Sequence, residues 1–248
     1  MQTIGLLGGM SWESTALYYR LINEETRRRR GGLHSAPIAM LSVDFQPIEA
    51  LQHAGDWDAL GDELAAAACR VEAAGAGLLV LCTNTMHRVA PAIEVAIDIP
   101  FLHIADATAR AVQAAGYDRV GLLGTRFTME QDFYTGRLAE HGIEVLVPGE
   151  AERECVHRVI YDELCRGDIR AASRDAYLRI IEGLAARGAG AVIEGCTEIG
   201  MLVRQDDTDV PLFDTTAIHA VAAVSEALKP TCRTSRAATG PSTRGIPG

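Results

Sequence analysis

Short apolar runs alternate with longer segments of helical periodicity along most of the chain. IGLL at residues 4–7 and LLVL at 78–81 have almost no polar side chains, which is typical of strands buried on both faces of a parallel sheet. Residues 14–30 and 56–74 instead space their apolar residues as a helix does. Further strands are predicted within 38–43, 119–124, 144–148 and 191–195, and two more helices within 152–187. The alternation predicts an α/β fold whose parallel sheets are flanked by helices.

The strand patterns recur in the same order in the second half of the chain. Ile4–Gly8 matches Val120–Gly124, residues 79–83 match 192–196, and residues 99–102 match 210–213, at offsets that drift from 116 to 111 residues. Three matches in order indicate an internal duplication. The chain is therefore predicted to form two pseudo-symmetric lobes with the active site in the cleft between them. The first lobe is assigned to 1–104 and 212–229, the second to 105–211, and a disordered tail to 230–248.

The duplication predicts where two polar side chains meet. Ligands of such sheets bind beyond the carboxyl ends of the strands. Thr83 follows a strand of the first lobe, and Cys196 follows the matching strand of the second. Two facing lobes would therefore bring Thr83 and Cys196 to opposite sides of one cleft.

Composition narrows the classes of partner. The net charge of −10 argues against nucleic acid, whose binding depends on neutralising phosphates. Arg27–Arg30 end a predicted helix, and both a solvated helix end and a binding patch remain open as interpretations. No apolar run reaches the roughly 20 residues that cross a bilayer, so no membrane association is expected. The first residues lack the basic start of a signal peptide, and a cytoplasmic protein is expected.

Neither a metal nor a nucleotide is expected. The six cysteines show no CxxC pair and no zinc-finger spacing to histidine, and in a cytoplasmic chain they are expected to be reduced. Gly5, Gly8 and Gly9 do not form the G-x-G-x-x-G dinucleotide pattern. We expect these glycines to allow a tight turn and a close backbone approach to a small ligand.

Two polar segments at strand ends carry the candidate chemistry. After the second-lobe strand, a helix start beside Cys196 would lower its pKa from about 8.5 toward neutrality, where a thiol is an effective acid/base group. Thr197 adds a hydroxyl, and Glu198 is expected to accept from an ammonium group. An inert buried cysteine is equally compatible with the pattern. In the first lobe, Asn84 and Thr85 suit a carboxylate or an amino group, with helix capping as the alternative; His87 is either structural or catalytic.

The segments GLLGGMSWEST, CTNTMH and GCTEIG resemble the aspartate-racemase-like branch of the aspartate/glutamate racemase superfamily, and the resemblance extends to about Leu228. It implies cofactor-independent racemisation of an amino acid, with no cofactor bound, by two thiols on opposite faces of the substrate. It also implies a homodimer. The catalytic candidates are Cys196 and Thr83. The substrate-binding candidates are Met10, Gln52, Asn84, Thr85, Thr125, Thr197 and Glu198.

The chain departs from the pattern of that family at three places. Thr83 occupies the first-lobe cysteine position, and Cys82, one residue earlier, is expected to face the opposite side of the strand. Gln52 stands nearest to a missing arginine, and Cys165 replaces a lysine, which extends the expected substrates from aspartate and glutamate to short polar amino acids such as homoserine. A carboxylate at Glu194 would raise the pKa of Cys196 if it faced the thiol.

Three hypotheses follow. In the first, the chain is a racemase in which Cys196 abstracts the α-proton and Thr83 returns one. The resemblance implies that the second-lobe cysteine faces the α-hydrogen of the L-enantiomer, so L-substrates are expected to be attacked faster. In the second, it is a decarboxylase or a cis–trans isomerase of a small dicarboxylate that needs only one cysteine. In the third, it is a non-catalytic amino-acid-binding module.

Overall fold

The computed structural model describes residues 1–230. Its two parallel sheets, each of four strands and flanked by helices, confirm the predicted α/β class and its two-lobed duplication. The predicted disordered tail, 230–248, lies outside the described residues except for Pro230.

Both sheets have the same strand order. The first contains β1 (Ile4–Gly8), β2 (Ile38–Ser42), β3 (Leu78–Leu81) and β4 (Phe101–Leu102), in the order β2-β1-β3-β4. The second contains β5 (Arg119–Gly124), β6 (Glu144–Leu146), β7 (Ala191–Gly195) and β8 (Leu212–Asp214), in the order β6-β5-β7-β8. All the pairings are parallel. The central strands of each sheet are therefore the repeated sequences, and their carboxyl ends point to the same edge.

Helices cover both faces of each sheet. They are α1 (Trp12–Arg30), α2 (Phe45–Ala54), α3 (Trp57–Ala73), α4 (Ala90–Ala96), α5 (Ile104–Ala114), α6 (Arg126–Glu130), α7 (Asp132–Glu140), α8 (Glu150–Asp162), α9 (Ala171–Ala186), α10 (Ile199–Leu202) and α11 (Thr215–Ala227). Short 3₁₀ turns occupy Thr85–Val89, Leu164–Arg166 and Gln205–Asp207. The long helices α1 and α3 begin and end within two residues of the predicted bounds, because an apolar stripe and a capping side chain mark each of them.

The end of the described chain returns to the first lobe. Side chains of α11, including Ala220 and Val224, pack in one apolar cluster with Ile4, Tyr18 and Ile22. The strand β8 before α11 pairs with the second sheet. Of the segment 212–229 that was predicted to belong to the first lobe, β8 thus pairs with the second sheet and α11 packs against the first.

The first glycine loop packs tightly against neighbouring parts of the chain. Gly9 has a φ of +99°, and a Cβ there would lie 2.2 Å from the carbonyl oxygen of Val43. A Cβ on Gly8 would lie 2.3 Å from the side chain of Thr15. The tight turn expected at these glycines is present, but the close approach is to the chain that leaves β2 and to α1.

Within residues 1–230, no helix is both long and apolar enough to cross a membrane. Cys69, Cys82, Cys155, Cys165 and Cys196 are free thiols. The same part of the chain contains no group of three or more His, Cys, Asp or Glu side chains placed to hold a metal ion.

Candidate active site

The loops at the carboxyl ends of the central strands enclose a cavity between the lobes. Nine of its lining residues are those expected from the sequence: Met10, Gln52, Thr83, Asn84, Thr85, Thr125, Cys196, Thr197 and Glu198. Five more were not expected there: Phe45, Met86, Ile160, Tyr161 and Cys165. Thr83 and Cys196, which follow corresponding strands of the two lobes, therefore line the same cavity.

The cavity is narrow. Its volume of about 30 Å³ has room for about one water molecule, whereas ligand pockets measure roughly 300–1,000 Å³. Hydrogen bonds join the two lobes around it: Gln52 Nε2 donates to Tyr161 Oη at 3.0 Å, and Thr85 Oγ1 lies 3.0 Å from Thr125 Oγ1. An amino acid is larger than this volume, so the lining residues must move apart to admit it.

A carboxylate faces the thiol at the second-lobe end of the cavity. Cys196 Sγ donates to Glu198 Oε2 at 2.9 Å, and Thr197 Oγ1 donates to the same oxygen at 2.7 Å. The other oxygen, Oε1, accepts from Ser11 Oγ at 2.8 Å. Ser11 precedes α1 and comes from the first lobe, 187 residues away in sequence. The side chain of Glu198, expected to accept from an ammonium group, is thus occupied by three protein donors.

The expectation that the Cys196 thiol has a lowered pKa is wrong. Burial and the neighbouring charge of Glu198 raise the pKa of this thiol well above its ordinary value. A second negative charge beside a buried carboxylate is unfavourable, and the backbone N–H of Glu198, which lowers the pKa of the thiol, offsets only part of that cost. The thiol is therefore protonated at rest, and it becomes a base only when a neighbour accepts its proton.

Glu194 is not the carboxylate that affects Cys196. Its side chain is buried outside the cavity, in register with Asp214 of the neighbouring strand β8. Burial, together with the charge of Asp214, raises the pKa of Glu194 to about 8. The uncertainty left by strand alternation is thus resolved: the thiol faces Glu198.

The Thr83 end of the cavity is held by a neutral histidine. His87 Nδ1 lies 2.7 Å from the carbonyl oxygen of Thr83, and the backbone N–H of Ile104 donates to His87 Nε2 at 3.1 Å. Because Nε2 accepts, Nδ1 carries the proton and donates to Thr83. Burial lowers the pKa of His87 well below its ordinary value. His87 does not line the cavity, which favours the structural interpretation.

Asn84 offers an unoccupied acceptor. Its Nδ2 donates to Thr215 Oγ1 at 3.1 Å, while its Oδ1 is buried without a partner within residues 1–230. Sequence reasoning missed Thr215, Ser11 and Tyr161. Thr215 could have been predicted from the sequence, because it directly follows the third repeated strand, where polar side chains approach the cleft.

The two neighbouring thiols differ in position. Cys82 lies in the core with Ile4 and Leu6, away from the cavity, as strand alternation predicts. Cys165, at the position of the missing lysine, does line the cavity. Burial and the charge of Glu198 raise the pKa of the Cys165 thiol.

Comparison with known proteins decides the family. A sequence model described as Asp/Glu/Hydantoin racemase matches residues 7–223, most of the chain. The chain belongs to this racemase family. The predicted superfamily is therefore confirmed, and so, at the level of the family, is the prediction of an isomerase that acts on amino acids.

Individual relatives agree with this assignment. A crystal structure of a candidate Asp/Glu racemase from Yersinia pestis is 56% identical, covers 92% of this chain and 100% of its own, and superposes with a TM-score of 0.87. An aspartate racemase homologue from Pyrococcus horikoshii OT3 is 33% identical with the same coverage and a TM-score of 0.81. The broad specificity amino-acid racemase RacX of Bacillus subtilis is 23% identical over 90% of this chain and 96% of its own length.

The lining of the cavity carries little charge. Glu198 is the only charged residue among those that line the cavity, and no Arg, Lys or His is among them within residues 1–230. A second carboxylate on a ligand would therefore meet no cation in this state.

Proposed function

We propose that the protein racemises α-amino acids with Cys196 and Thr83 as its acid/base pair. The observation that carries the proposal is that these two side chains, from corresponding loops of the two lobes, line one cavity together with Asn84, Thr85 and Thr197. Inversion at a carbon atom needs proton transfer at two opposite faces, and one group from each lobe meets that need.

Glu198 converts the thiol into the base. The Cys196 proton passes to Glu198 Oε2, 2.9 Å away, and the pair keeps a single negative charge. The thiolate takes the α-proton of an L-amino acid. On the other face, Thr83 gives its hydroxyl proton to the carbanion and regains one from solvent, while the Cys196–Glu198 side releases one. The product carries a solvent hydrogen.

The substrate backbone is held by neutral polar groups. The unoccupied Oδ1 of Asn84 accepts from the α-ammonium group. The hydroxyls of Thr85 and Thr125, 3.0 Å apart, are donors for the α-carboxylate, whose charge grows as the α-proton leaves. Donors aimed at developing charge stabilise the transition state more than the ground state.

The asymmetry of the pair affects rates and not the equilibrium. A thiol is a far stronger acid/base group than an alcohol, so proton abstraction from the L-face by Cys196 is faster than abstraction from the D-face by Thr83. The equilibrium constant of a racemisation is still one. We therefore expect fast isotope exchange into L-substrates and slow conversion to D-product.

The lining of the cavity favours short neutral polar side chains over aspartate and glutamate. Gln52 and Tyr161 offer an amide and a hydroxyl, and Cys165 lies where a lysine charge would otherwise be. Broad specificity in the relative RacX supports a site that does not depend on a distal carboxylate. Homoserine is the substrate that we would test first.

Isotope exchange tests the proposal directly. In heavy water without pyridoxal phosphate, L-homoserine should lose its α-proton signal in the NMR spectrum. Cys196→Ala should reduce this exchange by about 10³-fold or more. Thr83→Ala should keep exchange into the L-substrate and slow formation of the D-isomer. Binding of L-amino acids with no exchange at high protein concentration would instead identify a binding module.

A decarboxylase or isomerase of a small dicarboxylate is disfavoured. Such a substrate brings two carboxylates into a cavity whose single charged lining residue, Glu198, is itself acidic. Release of carbon dioxide from a substituted malonate, or loss of maleate absorbance, would reverse this preference. Cofactor independence, a homodimer and a cytoplasmic location stay predictions; sedimentation velocity tests the dimer.

A further inference from the structure

Thr215 stands behind Asn84 without lining the cavity. It is the first residue of α11 and is fully buried. Its Oγ1 donates to the backbone carbonyl of Glu194 at 2.8 Å and lies 3.1 Å from Nδ2 of Asn84. One hydroxyl therefore joins the loop after β3 in the first lobe to the end of β7 in the second.

This hydroxyl determines which way the Asn84 amide points. A threonine hydroxyl has one proton to donate, and a carbonyl can only accept. The Thr215 proton is therefore committed to the Glu194 carbonyl, and any further partner of Oγ1 must donate. Asn84 meets that requirement with its NH₂ group. Its oxygen is left as the end of the amide that is available to a ligand, in agreement with its lack of a partner within residues 1–230.

The commitment of Thr215 has a structural cause. The pairing of Glu194 with Asp214 places the Glu194 carbonyl beside Thr215, the first residue of α11. The Asp214 side chain is used to cap α11, where its Oδ1 accepts from the amides of Thr216 and Ala217 at 2.8 and 3.0 Å. The hydroxyl of Thr215 therefore remains free to donate to the Glu194 carbonyl.

We propose that Thr215 is a positioning residue that holds Asn84 Oδ1 toward the substrate and thereby selects ligands with an α-ammonium group. This rests on the proposed function, in which Asn84 accepts from that group. An oxygen accepts from an ammonium, whereas the reversed amide would present an NH₂ group that repels it and suits a hydroxyl. Without the Thr215 hydroxyl the two orientations have nearly equal shape, and the preference is lost.

Thr215→Val removes the hydroxyl and keeps the branched shape. The probes are L-homoserine and its hydroxy-acid analogue, (S)-2,4-dihydroxybutanoate. Loss of one hydrogen bond to a charged group should raise the KM for L-homoserine exchange by roughly 10- to 100-fold, with kcat falling much less. Inhibition by the hydroxy acid should stay the same or become tighter. Thr215→Ser retains the hydroxyl and should restore the wild-type KM.

The neighbouring Thr216 supplies a matched control. Thr216 is equally buried, but its Oγ1 has no partner within residues 1–230, so Thr216→Val should leave both ligands unaffected. Equal weakening of the amino acid and the hydroxy acid by Thr215→Val, or failure of Thr215→Ser to rescue, would assign Thr215 a purely structural role. If the wild-type protein catalyses no exchange, the proposed function fails, and calorimetric binding of the two probes still tests Thr215.

Discussion

The two ends of the cavity are built from corresponding loops but have opposite chemistry. Behind Thr83, His87 packs against His103 and His219, with ring centroids 4.5 and 5.9 Å away. Burial lowers the pKa of all three imidazoles, that of His219 to about 4. Around Cys196 there are carboxyl groups: Glu198 at the thiol, and Glu194 paired with Asp214 behind it.

The two ends of the cavity therefore have different roles, one in holding the backbone and the other in holding a transferable proton. At the Thr83 end, the imidazoles hold backbone carbonyl groups in place. His87 donates to the Thr83 carbonyl, and His219 Nε2 donates to the Leu102 carbonyl at 2.8 Å. Its rings are neutral near pH 7 and move no proton. The carboxyl end holds a proton between Cys196 and Glu198. A duplicated scaffold can thus keep its topology while only one copy keeps an acid/base device.

The largest expected effect comes from removing the charge of that device. Glu198→Gln preserves shape but cannot take the thiol proton, so exchange into L-homoserine should fall by about 10²-fold. Without the neighbouring charge, the pKa of the Cys196 thiol should move down toward its ordinary value, measurable as the pH dependence of its alkylation by iodoacetamide.

These two readouts distinguish a proton acceptor from a mere neighbouring charge. If Glu198 only raised the pKa of the thiol, the Gln variant would have more thiolate and faster exchange. Faster exchange would therefore contradict the role proposed for Glu198. Glu182→Gln, on the exposed surface of the second lobe, removes the same charge and should change neither readout.

A smaller effect is expected from making the two ends more alike. Thr83→Cys places a thiol opposite Cys196, and exchange into D-homoserine should rise by about 10-fold. The gain should be limited because Thr85, not a carboxylate, occupies the position that corresponds to Glu198. Exchange into the L-isomer should change little.

Thr83→Ser is the matched control, since it keeps a hydroxyl at the same position. No gain on the D-face with Thr83→Cys would mean that Thr83 does not contact the α-carbon, and the comparison between the two ends would lose its functional meaning.

Sequence patterns predicted the fold well, because the burial of strands and helix faces requires apolar residues at regular positions along the chain. Apolar strands and the long helices α1 and α3 follow from hydrophobic periodicity, and the repeated strands predicted two lobes. The strand-end rule placed Thr83 and Cys196 at one cavity, and the family resemblance supplied the other candidates that line it, such as Gln52 on α2. Short helices such as α6 and α10 have too few turns to show a period.

The electrostatics of the site could not be predicted in the same way. The pKa of Cys196 depends on its burial and on Glu198, and the contact from Ser11 to Glu198 joins residues 187 positions apart. Local sequence suggested helix-start amides as the dominant influence on the thiol. Tertiary contact reversed the sign of the shift.

The smallest effect concerns stability and tests the carboxyl end alone. Glu194 has a folded-state pKa of about 8 against an ordinary value of about 4.5. Between these values the folded chain holds a proton that the unfolded chain has lost. This contribution to stability is therefore complete below about pH 4.5 and is lost as the pH rises through 8, with a slope of about 1.4 kcal/mol per pH unit. The measurement belongs between about pH 7.5 and 8.5, above the ordinary histidine pKa of about 6.5, where His87, His103 and His219 are almost entirely neutral in both states and contribute little slope. The free energy of unfolding in urea should fall with pH in the wild type and should be flatter in Glu194→Gln. Glu182→Gln should keep the wild-type slope, and equal slopes in all three proteins would show that Glu194 is ionised in the folded chain and that the two ends of the cavity differ less than their residues suggest.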